Sequence, residues 1–216
     1  MRQIPHISVP GKGLRRSFGL QRHAGISLVE VLVSIVILMI GLLGLAGLQS
    51  RAFTTQMESY QRSQALILLQ DMAARIDANR KNAGTYVTTS LSPPHLGTGN
   101  APGNCAGLAG QPLDFCEWNN ALLGAAETQT SGGANVGAML GARGCVFQEV
   151  APATGVASTY QVVVAWQGLN STAAPDNSAA ASPRKCGIGL YKNRDGVVDE
   201  TLHRAIAIPV SVADLD

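Results

Sequence analysis

The stretch from Ile26 to Leu48, ISLVEVLVSIVILMIGLLGLAGL, constrains this chain more than any other: 23 residues carry one charge, Glu30, and Val31 to Leu48 carry none. As a helix rising about 1.5 Å per residue it extends about 34 Å, enough to cross a hydrocarbon core of about 30 Å. A cleaved secretory signal has a shorter apolar region, about 7 to 15 residues, closed by a small-residue site, whereas this one runs straight into further helix-forming sequence. The charge before and after the run is lopsided. Residues 1–25 hold Arg2, Lys12, Arg15, Arg16 and Arg22 and no acid, so a whole-chain charge of +2 leaves −3 on the remainder. The basic side is expected to stay in the cytoplasm and the acidic side to cross.

Glu30 is the residue that a plain anchor does not explain. An ionised carboxylate at the bilayer centre costs on the order of 2.5 to 3.5 kcal/mol, so a lone acid marks a function with a partner unless it lies near the helix end and reaches the interface. A cut between Gly25 and Ile26 would create an α-ammonium within reach of Glu30, on the same chain or on a neighbouring copy, and the buried charge would gain its counter-charge.

At these residues, RHAG followed by ISLVEVLVSIVILMIGLLGLAGLQ, the sequence resembles the type IV pilin and pseudopilin family, and the wording SLVEVLV, GLLGLAGLQ and DMAARIDANR is most similar to PilV-type minor pilins. The resemblance implies that Gly25 precedes a prepilin peptidase cut, that Ile26 is the new N-methylated terminus, and that Glu30 is the assembly carboxylate. The first mature residue is Ile where Phe is common, the leader is long at 25 residues, and the nearest basic residue, Arg22, stands behind His23 and Ala24. The implied fold is α+β and pilin-like: a long N-terminal helix, transmembrane in its first half, packed on a C-terminal antiparallel sheet. The implied organisation is a basic leader (1–25), a transmembrane and assembly half of the helix (26–48), an amphipathic half (49–84) and a β-rich periplasmic head (85–216).

Beyond Leu48, Phe53, Met57, Tyr60, Leu66, Leu69, Met72, Ala73 and Ile76 recur mostly every three or four residues, while Ser59, Gln61, Arg62, Gln70, Asp71 and Arg75 fill the other face. That periodicity predicts an amphipathic helix continuing from Ile26 to Arg80, stopped by Asn82 and Gly84. Gly41, Gly44 and Gly47 fall on a slowly drifting face. They serve close helix approach in the membrane, or they mark a weak segment that unwinds on entering a filament, since each glycine costs a helix about 1 kcal/mol relative to alanine.

From Thr85 the composition shifts to short β-rich runs: Cys145–Val150, Thr159–Gln167, Gly187–Tyr191 and Leu202–Val212, with turn signals at Thr154-Gly155 and Asn193–Gly196. These predict an antiparallel meander covering the helix stripe. Leu122 to Ala126 reads as a helical turn, and 88–112, 128–143 and 170–183 as long loops. Cys105, Cys116, Cys145 and Cys186 would lie in an oxidising compartment, where disulfides are expected. Of three pairings, Cys105–Cys116 and Cys145–Cys186 are favoured, the first closing a short loop and the second tying one strand to a later segment.

Several chemistries lack support. With no C-x-x-C and only His95 and His203 past the apolar run, zinc is disfavoured. Asn193–Glu200 lacks the first and twelfth carboxylates of a calcium loop and reads as a hairpin turn, and Asn170-Ser171-Thr172 as a polar loop. No catalytic motif occurs, Trp118 and Trp166 read as core residues, and no catalytic residue, cofactor or metal is assigned. A charged fraction of 14% and a near-neutral net charge argue against a nucleic-acid partner. The expected function is that of a minor pilin in type IV pilus assembly. Its expected partners are other minor and major pilins, prepilin peptidase, the inner-membrane assembly platform and membrane lipid. It would sit in the bacterial inner membrane as a single-pass protein and later at the cell surface in the pilus. The alternatives are a type II secretion pseudopilin, disfavoured by the long head, and a pilus-borne adhesin or DNA-binding tip subunit.

Overall fold

A computed structural model describes residues 25–125, 139–151, 153, 156–175 and 182–213. The chain divides into two units, one ending at Leu48 and the other beginning at Gln49. Helix α1 (Leu28–Ala78) runs without a break through Gly41, Gly44 and Gly47. It contributes the apolar helix of the first unit and a packing face of the second. Among the described residues one helix is long and apolar enough to cross a membrane, with a mean hydropathy of 2.8 over its most apolar window.

In the second unit a four-stranded sheet forms from β1 (Leu96–Gly97), β2 (Arg143–Val150), β3 (Ser158–Gln167) and β4 (His203–Val212), antiparallel throughout and ordered as in the sequence. The meander follows the sequence expectation. Side chains alternate cleanly between its faces. Val146, Val162, Val164 and Trp166 point to one face, where they bury Leu69, Met72 and Ile76 of α1. Cys145, Phe147, Val163 and Ala165 point to the other, which is covered by Cys186 and Tyr191. With both faces of β2 and β3 buried, these strands read as continuous apolar runs.

A second helix, α2 (Gln111–Leu122), opens at Gly110 with Pro112 in its first turn. Its Phe115, Trp118 and Leu122 face the core. Trp118 Nε1 donates to the Leu68 carbonyl at 3.0 Å, and its ring lies over Gly144, where a Cβ would stand 2.3 Å from Cη2. Arg75 ties the two helices together, pairing with Asp71 and Asp114 at 3.0 Å and with Glu117 at 2.6 Å. Tyr86 donates to Asp114 from the 3-10 segment Arg80–Tyr86 that follows α1.

Five expectations change. The helix ends at Ala78 rather than Arg80, and 3-10 turns carry the chain past Asn82 and Gly84. The face of α1 turned into the head is Gln61, Ala65, Leu69, Met72 and Ile76, so Gln61 is buried while Phe53, Met57, Tyr60 and Leu66 stay exposed. Gly187–Tyr191 is not a strand: Gly187 and Gly189 hold φ of +82° and +74°, a conformation that breaks a ladder. The fourth strand is instead the two-residue β1, inside the expected loop 88–112. Helix α2 takes the end of that loop, and the turn expected at Leu122–Ala126 is its hydrogen-bonded exit, with Ala125 N donating to Asn120 O at 2.9 Å. Ala126, the Thr154-Gly155 turn, residues 1–24 of the leader, residues 128–138 of the expected loop 128–143 and residues 176–181 of the expected loop 170–183 lie outside the described residues. The Asn193–Gly196 turn closes a small hairpin, in which Asn193 Oδ1 accepts from Asp195 N and Val197 N at 3.0 Å.

Candidate functional site

At the start of the first unit, Gly25, Ile26 and Ser27 have no regular structure, and the helix begins at Leu28. The Ser27 carbonyl accepts from Glu30 N at 2.9 Å and from Val31 N at 3.2 Å, so Ser27 serves as the first acceptor of α1. Glu30 therefore sits in the first turn, where the helix dipole favours a carboxylate. The Gly25–Ile26 peptide lies outside the helical ladder, with both residues exposed. A Cβ on Gly25 would meet nothing within 4 Å. The same holds for Gly41, Gly44 and Gly47, so among the described residues no packing contact requires these glycines. Leu28, Ile37 and Leu43 are 79%, 65% and 74% exposed, an extended apolar surface of the kind that marks a membrane or protein contact.

The second unit stabilises its loops covalently and by a buried polar cluster. Cys105 is bonded to Cys116 within the loop leading into α2, and Cys145 on β2 is bonded to Cys186. The second bond anchors the segment that covers the outer face of the sheet. Around it, Arg143 Nε donates to His95 Nε2 at 3.1 Å, and the guanidinium lies 5.0 Å from the centre of the Tyr191 ring. A guanidinium can only donate, so towards Arg143 the His95 Nε2 acts as acceptor, while the Thr98 carbonyl lies 3.2 Å from the same nitrogen. Burial, and then the Arg143 charge, push the His95 pKa down to about 4. Tyr191, whose ring centre lies 4.5 Å from that of His203, is pushed up to about 12 by burial.

His203 Nδ1 lies 2.9 Å from Glu200 Oε2. Burial lowers the His203 pKa, with the Glu200 carboxylate opposing it. Burial would raise Glu200, but His203, the Gly189 N–H and Arg184 hold it below its ordinary value. The cluster thus joins His95 and His203, the two imidazoles weighed as metal ligands, through Arg143 and Tyr191. Glu200, three residues before His203, is the acid that sequence reasoning passed over. Among the described residues no group of three or more His, Cys, Asp or Glu side chains is arranged to hold a metal.

Residues 20–46 match the prokaryotic N-terminal methylation motif, and residues 47–116 match the model of type IV pilin Tt1218. The chain is a type IV pilin-like protein. The two matches meet within α1 and together run from the end of the basic leader to α2. No curated protein and no solved structure matches the chain. The pilin family is structural rather than enzymatic, and its members assemble with other pilins and with the pilus machinery. The apolar half of α1 fits a membrane-anchored pilin that later enters the pilus.

Proposed function

We propose that this pilin is a PilV-like minor pilin, processed by prepilin peptidase between Gly25 and Ile26, N-methylated at Ile26, and active in initiating or building a type IV pilus. The observation that carries the reading is the start of the methylation-motif helix. The Gly25–Ile26 bond stands just outside the helical ladder, and Glu30 occupies the first turn beyond it. Gly25 has free space around its Cα, which supports a requirement imposed by a processing enzyme rather than by the fold. In the mature subunit, Glu30 meets an α-ammonium and sets the axial register. The head lies in the periplasm until the subunit enters the filament. Within the filament, Gly41, Gly44 and Gly47 either admit a close neighbour or let the helix yield, and full hydrogen-exchange protection across them in assembled pili excludes yielding.

Deleting the gene and scoring pilus number, twitching, protein secretion and DNA uptake side by side tests the role. Loss of pili and twitching is the expected result. Normal piliation with lost secretion contradicts it in favour of a secretion pseudopilin, and normal piliation with lost adhesion or DNA uptake in favour of a binding subunit.

A further inference from the structure

In the second unit, α1 and the sheet enclose a groove of about 320 Å³, at the lower end of the range for small-ligand sites. Glu58, Ser59 and Arg62 line it from the helix, and Trp166, Arg204 and Ile206 from β3 and β4. Glu58 and Ser59 precede Arg62 by four and three residues, which puts all three on one helix face. Trp166 stands directly opposite Arg204 in the β3–β4 ladder, so their side chains share the sheet face that Ile206 also occupies.

Part of this polar capacity is already used. Arg204 donates to the Thr201 carbonyl at 2.8 Å and to the Asn170 carbonyl, and lies 3.8 Å from Glu58 Oε1. That same oxygen accepts from Leu169 N and Asn170 N at 3.2 Å. The rest is open. Arg62 is exposed and has no hydrogen bond or ion pair among the described residues, and Ser59 Oγ and Glu58 Oε2 have no hydrogen bond among them either. Trp166 is only 4% exposed, yet its Nε1 is not sealed from solvent and makes no hydrogen bond among the described residues. A buried indole N–H ordinarily finds an acceptor, as Trp118 does at the Leu68 carbonyl, 3.0 Å away. Two guanidinium groups against one carboxylate leave the groove with a net positive charge.

We infer that this groove binds a sugar acid of the uronate class, its carboxylate taken by Arg62 and the Trp166 indole N–H and its hydroxyl groups by Glu58 Oε2 and Ser59 Oγ. An ionised carboxylate only accepts, which suits two donors, and its single charge neutralises the groove. Glu58 Oε2 only accepts, so the part of the ligand that meets it has to donate. Hydroxyl groups do so, whereas a second carboxylate or a phosphate is repelled there. Ile206 gives the C–H face of the sugar ring an apolar contact. A neutral sugar leaves Arg62 unpaired, and a small acid without hydroxyls makes no use of Glu58 and Ser59. This inference is independent of the processing and pilus role proposed above.

Nitrogen-15 NMR of the full chain in non-ionic detergent micelles tests it, because the two tryptophans give two indole N–H resonances, which Trp166→Phe assigns. D-Glucuronate should shift the Trp166 resonance with half-saturation at about 1 mM. The Trp118 resonance, from a donor already bonded to Leu68, should stay in place. Glucose, acetate and inorganic phosphate should each bind about tenfold more weakly or worse. Arg62→Gln should weaken glucuronate binding about tenfold, and Ser59→Ala should narrow the gap between glucuronate and acetate. Both residues are exposed, and an unaltered Trp118 resonance verifies the fold of each variant. Methyl β-D-glucuronide binding as tightly as the free acid assigns the ligand to the end of a glycan chain, and binding of the free acid alone assigns it to a free sugar acid. An unmoved Trp166 resonance at about 10 mM glucuronate, equal shifts with glucose, acetate or phosphate, or unchanged binding by Arg62→Gln would each overturn the inference.

Discussion

Lowering the pH from about 7.5 to about 5 should destabilise the head through His95. The side chain is 4% exposed and accepts from Arg143, so protonation sets two buried cations against each other. Its pKa falls from an ordinary 6.5 in the unfolded chain to about 4 in the fold. The unfolded state therefore takes up the proton first. The stabilisation is complete above pH 6.5 and is lost as the pH falls towards 4. Between the two test conditions the loss is about 2 kcal/mol, and at about 2 to 4 °C per kcal/mol for a domain of this size the midpoint drops about 4 to 8 °C. Trp118 and Trp166 are the two tryptophans of the chain, and both lie in the head core, so their emission during heating of the full chain reports on the head. His95→Gln keeps a neutral acceptor for Arg143 but cannot take up a proton. Its midpoint should fall less than the wild type's by that same amount, with His203 and the carboxylates contributing equally to both. Equal drops in the two proteins would refute the assignment.

Gly144→Ala should be among the most damaging single substitutions, at about 2 to 3 kcal/mol, because the new methyl has to displace the Trp118 ring; denaturant titration of the head measures it. Replacing Cys145 and Cys186 together by Ser should destabilise by about 4 kcal/mol on the chain-entropy model, for a separation of 41 residues, against about 3 kcal/mol for Cys105 and Cys116 with a separation of 11. If reduction shifts the unfolding midpoint of neither variant nor wild type, that ordering is wrong. Glu30→Gln should leave membrane insertion intact and abolish incorporation into pili, read by comparing membrane and sheared-pilus fractions; normal incorporation would remove Glu30 from the assembly role.

How much of this could be read from residues alone depends on the range of the interaction that decides each feature. The helix starts at Leu28, two residues past the expected Ile26, but the apolar run is local in sequence and was legible. So were β2, β3 and β4, whose apolar runs are long enough to show. The burial face of α1 was misassigned because Phe53, Met57 and Tyr60 are as apolar as Leu69 and Met72, and hydropathy does not distinguish a side chain that meets its own head from one left exposed. Helix α2 did leave a signal in Phe115, Trp118 and Leu122 at helical spacing behind Pro112, obscured by the Gly-, Ala- and Pro-rich sequence around it. Gly187–Tyr191 alternates like a strand, but its glycines take positive φ and the disulfide at Cys186 turns the chain back over the sheet. The His95, Arg143, Tyr191 and His203 cluster is assembled from distant residues, 48 positions separating His95 from Arg143 alone, and no local pattern announces it.

The central claim is that this pilin is cut after Gly25 and assembles through its new terminus. Intact-mass and N-terminal analysis of the protein recovered from sheared pili tests it most directly. The account predicts a chain that starts at Ile26 and carries one methyl group on its α-nitrogen. A chain that keeps Met1, or one cut anywhere other than between Gly25 and Ile26, would contradict it.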